Sequence, residues 1–339
     1  NHMKSSIKGA KLKNGFEVSD SYITVGLDTS VRNWKGRKFN NDLTVDTVSL
    51  PSTDTKNKAL FAKFEKAYGD LNVEVGARYD NTDIETVDST KNRDYKNLNL
   101  NIFTTYKLDN STKVFAGLGS ASRVPDAREL YYNGSGNEDL NETVNREIDL
   151  GIEKTYEDVK LKSKVFYSDL KDYIYNTNGT GFANVDAKIY GIDFSAMYFA
   201  SENVTIDFGT SYVRGKKDEA LAGQSDKDLA EIPPLKANIG ITYEEGKSTV
   251  KAEVIASKGW SNYDEDNGEQ ALSGYATLNV KYDYKINKSF DVSLGIDNLF
   301  DRTYATTNTY NDIKYIGNGD TELINEPGRY FYTNLRFTF

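Results

Sequence analysis

The chain contains no cysteine, one histidine, two methionines and five prolines. Without cysteine there is no disulfide framework and no thiolate metal site. The single histidine falls in Asn1-His2-Met3, a triplet that reads as a cloning or protease scar. Residues 1–3 are therefore set apart from a native stretch, 4–339, that has no histidine. This excludes a Ser-His-Asp set and an H-E-x-x-H zinc site, and no P-loop is present. Copper, nickel and zinc sites draw on His, Cys or Met. The native stretch offers only Met197, within a predicted strand. No run approaches about 18 consecutive apolar residues, which excludes a transmembrane helix. The net charge of -9 argues against nucleic acid as a partner.

What the chain does have is 24 Tyr, 16 Phe and a persistent alternation. In the last eleven residues Phe331, Thr333, Leu335, Phe337 and Phe339 share one side of an extended chain. Tyr332, Asn334, Arg336 and Thr338 share the other. Leu71 to Tyr79, Glu147 to Glu153, Val159 to Tyr167 and Ser289 to Asp297 repeat the pattern, with charged residues on the non-apolar side. One such hairpin would suit a soluble sheet with a solvated face. Repetition over about fifteen segments points to a transmembrane antiparallel β-barrel with a polar lumen. The hydrophobic fraction of 38% and mean hydropathy of -0.63 agree, since only alternate barrel residues are apolar.

The connections alternate in length. Tight turns are predicted at Asn14-Gly15, Gly69-Asp70, Asp109-Asn110, Glu157-Asp158, Ser201-Glu202, Glu245-Gly246 and Asn287-Lys288. Between them lie long polar stretches: Lys35 to Lys56, Asn81 to Asp94, Pro125 to Asn145, Asn176 to Ala183, Gly215 to Pro233, Ser261 to Ser273 and Ala305 to Gly328. Short periplasmic turns and long outer loops are the outer-membrane layout. The predicted strand count is about 14–16, all-β, with the first strand starting on the long-loop side. Bacterial single-chain barrels have even strand numbers, so an odd count predicts missing upstream sequence. An exported barrel also needs a signal peptide, expected to have been removed.

Four segments carry a family resemblance. Gly295-Ile-Asp-Asn-Leu-Phe-Asp-Arg-Thr-Tyr304 resembles the G-x-x-N-L-F-D-x-x-Y signature of TonB-dependent outer-membrane receptors. Ala121-Ser-Arg-Val-Pro-Asp-Ala-Arg-Glu-Leu-Tyr131 is similar to their R-x-P turn leading into E-L-Y. Asn145 to Glu153 resembles the strand that follows, and Glu326 to Phe339 the final P-G-R and terminal strand. The resemblance covers most of the chain from about Tyr22. It implies part of a barrel that has 22 strands in the family, plugged by an N-terminal domain. It also implies uptake of a ferric siderophore, haem, cobalamin or another scarce nutrient, powered through TonB. No plug-like segment or TonB box is visible in 4–339, so TonB would act through a missing N-terminal region. Outer-membrane lipid and lipopolysaccharide are the expected surroundings. The barrel-assembly machinery is expected to recognise Phe339.

No catalytic residue, metal site or resident cofactor is expected. Asp264-Glu265-Asp266 reads as a solvated charge run. Binding is expected from aromatic and basic residues at loop bases: Arg123, Arg128, Tyr131, Tyr132, Trp260, Tyr263, Tyr310 and Tyr315. These residue types suit an anionic or catecholate iron chelate through stacking, cation–π contact and charge-assisted hydrogen bonds. Each has a structural alternative, since aromatic residues near strand ends also form the interfacial girdle. Arg123 and Pro125 also suit a purely structural turn. The rival readings are a passive porin or structural barrel, and a soluble β-protein with a binding surface.

Overall fold

The computed structural model describes residues 2–40, 46–177, 181–306 and 325–338. Tyr310, Tyr315 and Phe339 lie outside the described residues. Fifteen strands form a single antiparallel sheet in chain order, each paired with its sequence neighbours. They are β1 His2–Val18, β2 Ser21–Phe39, β3 Asp46–Tyr68, β4 Leu71–Thr86, β5 Arg93–Lys107, β6 Thr112–Arg123, β7 Thr143–Thr155, β8 Val159–Thr177, β9 Gly181–Phe199, β10 Val204–Lys217, β11 Lys236–Glu245, β12 Ser248–Ser257, β13 Tyr275–Lys285, β14 Phe290–Asp297 and β15 Tyr330–Phe337. One short helix, α1 (Ala127–Tyr131), interrupts the β6–β7 connection. Among the described residues β1 and β15 are the two sheet edges.

The strands run further than the alternation predicts, mostly at their outer ends. The stretches expected as loops at 35–56 and 81–94 are largely paired strand, with Asn33↔Asp54 and Asp83↔Asp94 in register. Their residues are mostly polar, with buried Leu50 and Ile84 as exceptions, so the period-two signal fades although the ladder continues. The first turn is at Ser19-Asp20, not at Asn14-Gly15. Gly15 pairs with Thr24 inside the ladder, and Ser19 takes the positive φ of 56°.

The two faces differ as expected. On β4, Leu71, Val73, Val75 and Tyr79 share one side. The register places Leu60, Leu98, Leu100 and Ile102 of the neighbouring strands on that side, well exposed. The other side carries Glu74, Arg78 and Asp80 beside Lys63, Asn99 and Asn101. Lys63 pairs with Glu74 at 2.8 Å, Arg78 with Asp80 at 2.8 Å, Lys164 with Asp149 at 2.6 Å and Lys162 with Glu153 at 2.7 Å. Glycine meets aromatic rings across strands on this face. Gly26 sits under Phe61, Gly151 under Phe115 and Gly295 under Tyr332, so each ring lies flat on backbone where a Cβ would collide with it.

The signature at 295–304 is a structural device. Asn298 adopts a φ of 50°, tolerable for Asn, and is almost fully buried. Its Oδ1 accepts the Arg302 N–H and its Nδ2 donates to the Arg302 carbonyl, both at 2.8 Å. Asp301 Oδ1 accepts the Arg329 N–H at 2.8 Å, tying the exit of β14 to the entry of β15. Tyr304 packs its ring on Tyr275 at 4.2 Å, and Phe300 is 75% exposed.

The outer ends gather into buried clusters. One joins Leu50, Ile84, Tyr95, Leu130, Tyr131, Leu140 and Ile174, with Phe182 against it. A second joins Leu170, Tyr175, Val185, Ala187 and Leu229, with Tyr173 against it. Ile174 and Tyr175 are successive strand residues and face opposite ways. The paired ends of β8 and β9 are therefore covered on both sides, by the 125–142 connection and by the 218–235 connection. A register shift between Leu170 and Tyr173, with Asp172 at a φ of 51°, lies at the base of these ends. Gly181 helps to dock them, with a φ of 99° and the Ser135 carbonyl oxygen where a Cβ would stand. Gly181→Ala is expected to loosen this packing by about 2–3 kcal/mol, from positive-φ strain plus the clash. Faster amide exchange at Asn133 to Asn137, with the strand ladder unchanged, is the check.

Candidate functional site

The sequence-predicted residues fall into two groups. Arg123, Arg128, Tyr131 and Tyr132 gather around α1. The helix is held by a capping box in which Asp126 Oδ1 accepts the Glu129 N–H at 2.9 Å and Glu129 returns to the Asp126 N–H at 2.8 Å. Arg123 grips the same Glu129 carboxylate with both terminal nitrogens at 2.9 Å. The R-x-P…E-L-Y motif is thus a strand-to-helix clasp, with Pro125 buried in it.

Tyr131 is buried, at 6% exposure, and its hydroxyl donates to the Lys91 carbonyl. Burial pushes its phenol up to about 12, so it stays a neutral donor. Tyr131→Phe is expected to cost the outer cluster about 1 kcal/mol; hydrogen exchange at Lys91 and its neighbours checks it. Tyr132 is half-buried, with Lys38 Nζ 5.5 Å and Arg128 Cζ 5.3 Å from its ring centroid. Arg128 is exposed.

Trp260 and Tyr263 lie apart from these. Trp260 is buried with Leu272 and Ala305, and Tyr263 packs against that cluster. The Trp260 N–H and carbonyl bridge to Leu272, and its indole N–H donates to the Asn262 carbonyl at 3.2 Å.

The charge run 264–266 does not read as expected. Asp264 is fully buried, at 0% exposure, against the equally buried Lys217 from the end of β10. Asp264 Oδ2 accepts from Lys217 Nζ and Tyr175 Oη, both at 2.5 Å, and from Asn267 Nδ2 at 2.9 Å. The Ala230 N–H donates to Tyr175 Oη at 2.8 Å. Glu269 accepts the Asp264 N–H at 2.7 Å and the Glu231 N–H at 2.6 Å, while burial raises its carboxyl above the ordinary value. Asp266 is exposed to solvent but is also engaged. It accepts the Asp226 and Ser225 N–H groups, and those bonds hold its carboxyl low. This network ties the 218–235 connection to the 258–274 connection. Short-range sequence signals could not reveal it, because an acidic run beside Asn and Gly looks solvated. Among the described residues no group of three or more His, Asp or Glu is placed to hold a metal ion.

A continuous antiparallel wall, apolar and exposed on one face, ion-paired on the other and built up by long connections at one end, defines the outer-membrane barrel class. Within it, the chain belongs to the TonB dependent receptor-like, beta-barrel family, matched over residues 7–299. The vitamin B12 transporter BtuB of Photobacterium profundum is 24% identical over 313 residues, which is 89% of this chain and 49% of that protein. Among solved structures, the copper transporter OprC superposes with a TM-score of 0.88 at 23% identity, covering 99% of this chain and 57% of that one. The ferric-catecholate import receptor Fiu of K12 E. coli gives 0.75 at 15% identity, covering 99% and 55%. At these identities the structures share the fold. The chain spans about half the length of the curated relatives it matches, or less.

Proposed function

We propose that this chain forms most of the barrel wall of an outer-membrane receptor for a scarce nutrient, with an iron chelate as cargo. The observation that carries the reading is the two-faced wall itself: an exposed apolar band opposite an ion-paired polar face, topped by interlocked connections. Open strand edges cannot face lipid, so β1 and β15 require the remainder of a longer protein for closure. Energy would come through TonB, acting on a segment outside this chain. The barrel-assembly machinery would engage the terminal Phe339. The names of the relatives do not decide the cargo, since cobalamin, copper and a ferric catecholate all occur among them. The scarcity of soft donors here favours a metal that arrives already chelated, and the exposed Arg128 beside Tyr132 suits an anionic chelate.

The test is deletion of the full-length gene, followed by uptake of ferric chelates and cobalamin in parallel under iron limitation. Loss of one ferric chelate alone is expected. Unchanged chelate uptake with lost cobalamin uptake would replace the iron assignment. Unchanged uptake of every nutrient would favour a passive barrel.

A further inference from the structure

We propose that the buried cluster of Lys217, Asp264 and Glu269 is a proton-driven latch: uptake of one proton by the Glu269 carboxyl draws the 218–235 connection, the 258–274 connection and the outer end of β8 more tightly together. Among the described residues three charged side chains are buried, each no more than 3% exposed, and they are these three. Lys217 ends β10, and the two carboxylates stand five residues apart in the 258–274 connection. One buried cation therefore faces two buried carboxylates, and the ionised cluster carries an excess negative charge away from water. Lys217 Nζ is bonded to Asp264. Glu269 has no cation among the described residues; it accepts only the Asp264 N–H at 2.7 Å and the Glu231 N–H at 2.6 Å. An unbalanced buried charge is costly, and a proton removes it.

The cluster also has a place for the added hydrogen. Asp264 Oδ2 takes three donors, from Lys217, Tyr175 and Asn267, whereas Asp264 Oδ1 is buried with no hydrogen-bond partner. The Glu269 carboxyl already lies against the Asp264 backbone. Once protonated it becomes a donor beside the residue with the empty acceptor, while its other oxygen still accepts an N–H. The charged and titratable neighbours come from every element of the cluster. Asp264 faces Glu269 from the same connection, and Glu231, at a φ of 62°, from the 218–235 connection. Lys217 reaches in from β10. Tyr175 reaches in from β8, and burial raises its phenol far above the ordinary value, so it stays neutral. Glu265 and Asp266 are exposed and bonded to the 225–226 segment instead. Burial and the Asp264 and Glu231 carboxylates outweigh the two N–H bonds and hold the Glu269 carboxyl above its ordinary 4.5. The closed arrangement thus binds this proton more tightly than the open one, and the latch strengthens as pH falls through the raised value towards 4.5. Asp266 has the opposite sign: its carboxyl is held low, so its contribution is lost only below the ordinary 3.8.

The test is hydrogen exchange on the full-length receptor in detergent, with EDTA present, between about pH 8 and about pH 5. Protection factors are compared at the Ala230, Glu231 and Asp264 amides, since dividing by the intrinsic rate removes the ordinary base dependence of exchange. Protection is expected to rise about tenfold or more as pH falls, the worth of one added hydrogen bond to a charged group. Amides of β7 are expected to stay level. Glu269→Gln places a neutral amide there, able to donate at every pH. It is expected to be as protected at the upper pH as the native chain is at the lower one, and to lose the slope. Native protection that stays flat or falls towards the lower pH would overturn the latch, and that measurement needs no variant. A slope that survives in Glu269→Gln, or a rise shared equally by β7, would overturn it too. The latch does not depend on the cargo, so uptake results for or against an iron chelate leave it standing.

Discussion

Lys217→Met is expected to release the 218–235 and 258–274 connections from each other. The substitution leaves Asp264 at 0% exposure without its counter-charge, and an uncompensated buried charge costs about 3–5 kcal/mol. The loss is expected to appear as local opening, because the strand ladder beneath does not depend on the pair. Amide exchange at Ala230, Glu231 and Asp264, whose N–H groups are bonded inside this network, should accelerate about 10²- to 10³-fold. Combining Lys217→Met with Asp264→Leu removes both charges, and much of the protection is expected to return. If the double variant were as open as the single one, the ion pair would not be what holds these connections together.

Leu150→Arg is the second large effect. Leu150 lies between Ile148 and Ile152 on the apolar face of β7, and all three are exposed: Leu150 at 49%, Ile148 at 41% and Ile152 at 43%. Lipid must cover that surface if the wall spans a membrane. An Arg at the bilayer midplane of a barrel costs about 2–4 kcal/mol. Asn238→Arg, on the polar face beside Glu253 at 3.5 Å, is expected to be near neutral. Denaturant unfolding of the full-length receptor from lipid vesicles measures both. Equal effects would mean that the two faces do not see different solvents.

The strand number, the turn side and the two faces were legible in the sequence. Val73, Val75 and Tyr79 against Glu74 and Arg78 define a face by themselves, because side-chain direction in a strand depends only on parity. The same logic failed where its contrast vanished. Along 35–39 and 46–56 polar residues dominate both faces, so the sequence reads as loop where the ladder continues. The turn at Ser19-Asp20 was missed because Asn14-Gly15 is the stronger turn dipeptide, yet the pairing of β1 with β2 runs through it.

The candidate site was legible in part. Arg123 to Tyr132 do come together, because they belong to one short segment wound into α1. Their roles differ: Arg123 clasps Glu129 and Tyr131 is packed inside, while Arg128 stays exposed and Tyr132 is half-buried. Trp260 turned out to be a buried anchor of its own connection.

The sequence by itself determined that this is a β-wall with one oily and one wet face, since alternation is a property of neighbouring residues. Only the tertiary structure decided which charges are solvated. Asp264 and Tyr175 are 89 residues apart in the chain and share a hydrogen bond. Desolvation of a carboxylate depends on what covers it in space, and no local pattern records which two loops will meet.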